Sequence, residues 1–393
     1  MGSRMRIVHI ANFYSEKSGG IKTTINQLGI LYQRIGHEFF YIVPGEKHEV
    51  ELTPNGTKIT MPSIPIPFSG GYRIIRSNRA IKQTLSLLRP ERLEVSDRLS
   101  LRKIGTWAKK RKIRTIVFSH ESLEALLIRF FKFGIVRRYA QWHNRRLAAS
   151  FDWVVASTEY AAREFRTQNV SNLKRVPLGV DLDSFQPSHR SRSLRNKLLR
   201  GSDILLVHCG RLSVEKNPEQ SIAVLKKLNE IGFNARLIFV GMGPLFNKLK
   251  KSALGHPVEF TGYVAGPKKV ASYLANADVV LAPGPHETFC LAALEALACG
   301  TPVVASNKSA VKEILCPENE EWAGVVCGED PVEWAQAVGL IVSDRKFRVH
   351  ARNRAEQYPW TQTIKALDDL HEHTTKNNVE ERNVKEKSAW RAA

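Results

Sequence analysis

The stretch 278–302, DVVLAPGPHETFCLAALEALACGTP, limits the fold more than any other part of this chain. Asp278 to Ala282 is a short apolar run without polar alternation, the pattern of a strand buried on both faces of a parallel sheet. A Pro-Gly-Pro turn follows. The apolar spacing predicts a helix from near Phe289 that closes at Cys299-Gly300, where glycine caps it and Thr301-Pro302 prevents continuation. Glu287 stands at the entrance and Glu295 lies eight positions on. At a helical rise of ~1.5 Å per residue the two acids are expected about 12 Å apart. That is too far for a carboxylate dyad but suits the two ends of one elongated polar ligand. Between them, the N–H groups of Phe289, Cys290 and Leu291 lack an earlier turn to bond to, and with the helix dipole they favour an anion.

The same strand–loop–helix rhythm runs through the whole chain. Arg6 to Ala11 reads as a strand, Asn12 to Gly20 as a loop, Ile21 to Ile35 as a helix and Glu38 to Val43 as the next strand. This β-α-β order predicts a right-handed parallel unit. Gly19 and Gly20 fall where the strand feeds the helix, and glycine there lets backbone approach a phosphate. Prolines and glycines crowd residues 44–72, and Met61 to Gly71 is expected to be an irregular loop beside the cleft. Short strands are expected at Arg92–Asp97, Ile113–Phe118 and Phe151–Ala156, the second ending at Ser119-His120-Glu121. Ligands collect at the carboxyl ends of strands in open parallel sheets, which makes His120 a candidate site residue. Leu123 to Tyr139 has an amphipathic pattern, read either as a helix covering the sheet or as one touching an anionic membrane surface.

A boundary is expected near residues 184–200, giving an N-terminal domain over 5–183 and a C-terminal domain over 184–358. In the second domain Ile204–Cys209 is a strand leading into Gly210-Arg-Leu-Ser-Val-Glu-Lys-Asn217, with Pro218 opening a helix. Leu237–Val240 leads into Gly241-Met-Gly243, and Val258–Phe260 into Thr261-Gly-Tyr-Val264. Helices are expected over Pro331–Arg345, Lys346–Tyr358 and Trp360–His373. The polar segment 374–393 is expected to be a flexible tail.

The chain has 393 residues, enough for two domains, and a net charge of +21. Between Arg73 and Arg146 there are 20 Lys and Arg against 5 Asp and Glu, so the excess lies in the first half. Charge of this size points to an anionic partner, not to a fold. A nucleic-acid partner is not expected: no recognition module and no basic strand interleaved with aromatics is present. The five cysteines show no metal spacing, which fits reduced thiols in a cytoplasmic setting. No run is long and apolar enough for a membrane span.

Arg211 and Lys216 can neutralise a diphosphate, the first as a planar fork and the second as a point charge. Glu295 can accept from a ribose diol and Glu287 from the hydroxyls of a sugar. The GMG element lacks the third glycine of a dinucleotide fingerprint. Asp181-Leu-Asp183 resembles a metal-binding DxD, but it lies in a Pro/Gly turn away from the phosphate signals and is discounted. Two cations, free N–H groups and two separated carboxylates describe a nucleotide-diphosphate sugar.

GRLSVEKNPEQSI, VGMGP, FTGYV and HETFCLAALEALACGTPVVAS together resemble the donor-binding landmarks of family four of the retaining glycosyltransferases, of GT-B fold. The resemblance implies an α/β architecture of two Rossmann-like, doubly wound domains facing a central cleft, with helix 360–373 crossing back to the first. It implies His120, Arg211, Lys216 and Glu287 as catalytic residues. Gly19, Gly20, Gly210, Gly241, Gly243, Val264, Phe289, Cys290, Leu291 and Glu295 would bind the donor. Cys290 departs from the family's usual glycine. No metal or other cofactor is expected. The donor would be a nucleotide sugar, with GDP-mannose favoured, and the acceptor a glycolipid of phosphoinositol type at the inner face of the plasma membrane. The alternatives are a UDP-sugar enzyme with a soluble or polysaccharide acceptor, and a sugar epimerase on the same scaffold.

Overall fold

The computed structural model describes residues 4–14, 19–66, 71–121, 123, 133–318 and 320–372. The expected helix at Leu123–Tyr139 and the tail at 374–393 lie largely or wholly outside them. Helix Phe133–Ser150 is described, and it continues past Tyr139.

The first sheet contains β1 (Arg6–Ile10), β2 (Glu38–Gly45), β3 (Glu49–Thr53), β4 (Gly56–Pro65), β5 (Arg73–Ile75), β6 (Arg92–Val95), β7 (Arg114–Ser119), β8 (Trp153–Ala156) and β9 (Leu173–Arg175). Their spatial order is β3-β4-β2-β1-β6-β7-β8-β9, with β5 paired to β4. The pairs from β4 through β9 are parallel, while β3 and β5 run antiparallel to β4. The second sheet contains β10 (Ile204–Cys209), β11 (Ala235–Val240), β12 (Val258–Gly262), β13 (Val279–Ala282), β14 (Val303–Ser306) and β15 (Gly324–Cys327), in the order β12-β11-β10-β13-β14-β15. Its pairs are all parallel. Apolar strands such as β13, with Val279, Val280 and Leu281 sealed from solvent, need helices on both faces, and the chain supplies one after nearly every strand.

Each sheet reverses its winding once, between β1 and β6 in the first and between β10 and β13 in the second. A crevice opens at such a point because the flanking loops leave in opposite directions. The loops that carry Arg211, Lys216 and Glu287 are therefore neighbours at the second switch point.

One expectation changes, and two further stretches gain a structure. Met61–Pro65 is not irregular: it ends β4, with Ser63, Ile64 and Pro65 paired to Ile75, Ile74 and Arg73. Proline removes only a donor, and Pro62 still accepts from the N–H of Arg76 at 3.0 Å. The basic stretch within 188–200 forms a helix, Arg192–Leu199, capped by Ser191. It is tied to the second sheet by Arg195 to Asp278 at 2.9 Å. Phe246, which stands where a dinucleotide fingerprint would carry its third glycine, starts helix Phe246–Ser252.

Residues 360–372 are helical and return to the first sheet. The Trp153 indole donates to the Leu370 carbonyl at 3.1 Å, Thr363 Oγ1 donates to the Pro177 carbonyl at 2.8 Å, and buried Arg92 pairs with Asp368. At the entry to this helix a Cβ on Gly179 would stand 2.4 Å from the Trp360 nitrogen. Gly179→Ala should therefore cost about 1–3 kcal/mol by overpacking. Chemical denaturation should show a lowered midpoint, and an unchanged midpoint would mean that the crossing is loosely held.

Candidate functional site

The loops after β10 and β11 are pressed together by glycine. A Cβ on Gly241 would lie 1.9 Å from the Gly210 carbonyl oxygen, and one on Gly243 would lie 2.3 Å from that of Leu212. The loop after β11 therefore packs directly on the backbone of the loop after β10, which is the structural use of the GMG element. The stacked loops fix Arg211, whose guanidinium lies 4.6 Å over the Tyr72 ring of the first domain. They also fix the single 3-10 turn Val214–Lys216.

Lys216 Nζ is paired with Glu287 Oε1. Burial alone would lower the lysine pKa, but the Glu287 carboxylate holds the ammonium above its ordinary value. Gly284 keeps the turn below them narrow: a Cβ there would sit 3.1 Å from both the Glu215 carbonyl and Glu287 Oε1.

The helix begins two residues later than expected. It spans Leu291–Ala298, and Cys290 is its N-cap at φ 70°, ψ 76°. A left-handed conformation suits glycine and costs a residue with a Cβ about 1–2 kcal/mol. Cys290 thus holds a strained position at the mouth of the site. Its thiol is pushed up to about 12 by burial and by Glu287, so it is not a thiolate. The helical rise does not measure the Glu287–Glu295 separation, because residues 287–290 are not helical; the estimate of about 12 Å is withdrawn. The N–H groups of Phe289, Cys290 and Leu291 have no acceptor among the described residues. Phe289 offers only its backbone: its ring is buried, edge-on to Tyr358 at 6.3 Å. Val264 packs against the same core.

The first domain closes the site. Gly19 (φ 126°) caps helix Gly20–Arg34, and a Cβ on Gly20 would be 3.6 Å from Leu291 Cδ1. Gly20 therefore faces the N-terminus of the Glu295 helix across the cleft. His120 is beside it at the end of β7, stacked on Phe118 with ring centres 5.5 Å apart. Its backbone carbonyl accepts from Thr288 Oγ1 at 2.5 Å. Burial lowers its pKa to about 3, so the ring is neutral.

Asp181 was placed away from the site by sequence spacing, and its aspect changes here. It caps its own turn through the N–H groups of Asp183 and Ser184 at 3.1 and 3.0 Å. It also lies close enough to Glu295 to add to the effect of burial, and together they raise the Glu295 carboxyl to about 8. Sequence reasoning also missed Thr288 and Tyr72. Both act through contacts between the two domains, which leave no local pattern. Among the described residues there is no cluster of three potential metal ligands and no helix able to cross a membrane. All five cysteines are free.

Residues 190–358 match the family model described as glycosyl transferases group 1, and residues 18–184 match that of glycosyltransferase family 4. The chain is 44% identical over 366 residues, 92% of its length and 95% of the relative's, to a GDP-mannose-dependent alpha-(1-6)-phosphatidylinositol dimannoside mannosyltransferase from Mycobacterium tuberculosis. It is 29% identical over 227 residues, 58% of each chain, to a GDP-mannose-dependent alpha-mannosyltransferase from Mycolicibacterium smegmatis. Among solved structures, sucrose-phosphate synthase from Thermosynechococcus elongatus superposes with a TM-score of 0.77 at 19% identity, covering 95% of this chain and 100% of that one.

The raised Glu295 pKa makes a stability prediction. Unfolded, this carboxyl titrates near its ordinary 4.5; folded, near 8. The fold favours the protonated form, so this contribution is intact below the lower value and is lost as pH rises towards the upper one. Glu295→Gln should therefore raise the melting temperature of the ligand-free protein at alkaline pH and leave it unchanged at acid pH. Equal effects at both would show that Glu295 is not desolvated.

Proposed function

Since the chain belongs to family four of the glycosyltransferases, retaining enzymes of GT-B fold, we propose that it transfers mannose from GDP-mannose to a membrane glycolipid of phosphatidylinositol mannoside type. The observation that carries this reading is the Lys216–Glu287 pair beside the unbonded N–H groups of residues 289–291, facing Gly20 across the cleft. The 44% identity over 92% of the chain supplies the sugar, the base and the acceptor class.

In this reading Arg211, Lys216 and the helix N-terminus hold the diphosphate and stabilise the charge that develops as it leaves. Lys216 gives up part of its contact with Glu287 to do so, which frees that carboxylate to accept from sugar hydroxyls. Glu295 accepts from the ribose diol. Gly19, Gly20, Gly210, Gly241 and Gly243 let the backbone close on the donor, and Cys290, by its side chain, narrows the sugar pocket. His120 faces the transferred sugar. The leaving diphosphate oxygen takes the acceptor proton on the face it departs from, so the configuration is retained and no metal or other cofactor is invoked. The first domain takes the acceptor.

Peripheral attachment at an anionic membrane is part of the proposal. On helix Phe133–Ser150, Tyr139 and Trp142 are exposed among exposed Arg137, Arg138, Arg145 and Arg146. Arg146 lies 4.4 Å over the Trp142 ring. Aromatics at the head-group level with arginines beside them suit such a surface.

A thermal-shift screen with GDP-mannose, UDP-glucose and ADP-glucose, followed by transfer assays with the active donor, tests this reading. A ligand at 100 times its dissociation constant adds about 2.7 kcal/mol of stability. GDP-mannose is expected to give that shift and to be turned over, with Lys216→Ala losing about 10²–10³ in kcat while still folding. A shift with UDP-glucose alone, isomerised sugar without transfer, or normal turnover by Lys216→Ala would overturn it.

A further inference from the structure

Behind His120 runs a line of buried polar side chains that holds no part of the donor. His120 Nε2 lies 2.8 Å from Ser96 Oγ, and that hydroxyl lies 2.8 Å from His9 Nε2. His9 Nδ1 is 3.0 Å from Glu94 Oε2. The other carboxylate oxygen, Glu94 Oε1, accepts from the Tyr32 hydroxyl at 2.5 Å and meets His371 Nε2 at 3.3 Å. His9, Glu94 and Tyr32 are sealed from solvent, and Ser96 and His371 nearly so. Phe118 stacks on both histidine rings, 5.6 Å from His9 and 5.5 Å from His120, which fixes their planes. The other charges around the line are Arg92, on the same strand as Glu94, and Asp368, which pairs with Arg92.

The protons along this line can be counted. Burial alone would raise the Glu94 pKa, but hydrogen bonds from His371 and His9 hold it well below the usual carboxylate range, so Glu94 only accepts. His9 must then carry hydrogen on Nδ1. In the neutral form of the His9 ring, Nε2 is an acceptor and takes the single proton of the Ser96 hydroxyl. Ser96 has only lone pairs left for His120, so His120 must carry hydrogen on Nε2. Its Nδ1 is then bare. We propose that Glu94, His9 and Ser96 are positioning residues that hold His120 in its Nε2–H tautomer, so that Nδ1 presents a lone pair to a hydroxyl of the transferred sugar. This rests on the reading that His120 faces that sugar. The last helix takes part through His371, so the C-terminal crossing reaches the reacting centre through a carboxylate.

The line supplies its own test in Glu94→Gln. Tyr32 and His371 both donate to the Oε1 position, so the amide oxygen of a glutamine must sit there and its NH2 must face His9. His9 then accepts on Nδ1, carries its proton on Nε2 and donates to Ser96. Ser96 donates to His120 Nε2, and the His120 proton moves to Nδ1. One nearly isosteric change inverts every tautomer in the line.

Nitrogen-15 spectra of histidine-labelled, ligand-free protein read the His120 tautomer directly, whatever the donor is. Wild type is expected to be protonated on Nε2 and Glu94→Gln on Nδ1, with Ser96→Ala showing both. In the transfer assay, kcat of Glu94→Gln should fall by at least about tenfold, with KM for the donor little changed. A His120 that stays protonated on Nε2 in Glu94→Gln, or an inverted ring with unchanged kcat, would overturn the proposal. If the donor reading itself failed, wild type would show no turnover of GDP-mannose while the spectra still reported the line.

Discussion

The cleft depends on Thr288. Its hydroxyl donates to the His120 carbonyl at 2.5 Å, and its own carbonyl accepts from Thr158 Oγ1 at 2.7 Å and Ser157 Oγ at 3.3 Å. Ser157, Thr158 and His120 belong to the first domain, and Thr288 sits between Glu287 and helix Leu291–Ala298 of the second. One residue therefore sets the distance between the two halves and fixes the turn that carries Glu287. Glu313 adds to the same seam by accepting from the N–H groups of Glu159 and Tyr160 at 2.8 and 2.7 Å. These bonds are short and partly shielded from water, so they hold the geometry more firmly than a solvated surface contact would.

On this frame the charges of the site neutralise one another. Lys216 is held in a partly buried position by its pairing with Glu287, and separating the two charges has a cost unless a replacement arrives. A diphosphate is such a replacement for the lysine, and a set of sugar hydroxyls is one for the acid. Among the described residues Glu295 has no cation beside it, and it takes up a proton instead, with its carboxyl raised to about 8. The two acids of the motif thus differ because their neighbours differ, not because of their position along a helix.

The two-domain, doubly wound plan was legible in the sequence because parallel strands buried on both faces read as unbroken apolar runs, and each was followed by a helical pattern. β10 and helix Pro218–Glu230 fall where those patterns put them. The error over 61–65 came from giving proline too much weight: Pro62 and Pro65 did not break β4. At the site, Arg211, Lys216 and Glu287 were legible because short, stereotyped loops hold them. Asp181, Tyr72, Thr288 and the Glu94–His9–Ser96 line were not. The hydrogen bonds of Thr288 and of the Glu94–His9–Ser96 line join residues 24 to 277 positions apart, and such pairings are set by the packing of the sheets. The helix start moved from Phe289 to Leu291 because Cys290 is left-handed, a conformation that its side chain does not advertise.

The central claim is that one ligand is clamped from end to end, with sugar at Glu287 and ribose at Glu295. The most direct test is calorimetric binding of the free nucleoside diphosphate and of the intact sugar nucleotide to Glu287→Gln and Glu295→Gln. The account predicts that Glu287→Gln weakens the sugar nucleotide while leaving the diphosphate nearly untouched, and that Glu295→Gln weakens both alike. Equal loss of both ligands in Glu287→Gln, or none in Glu295→Gln, would contradict it.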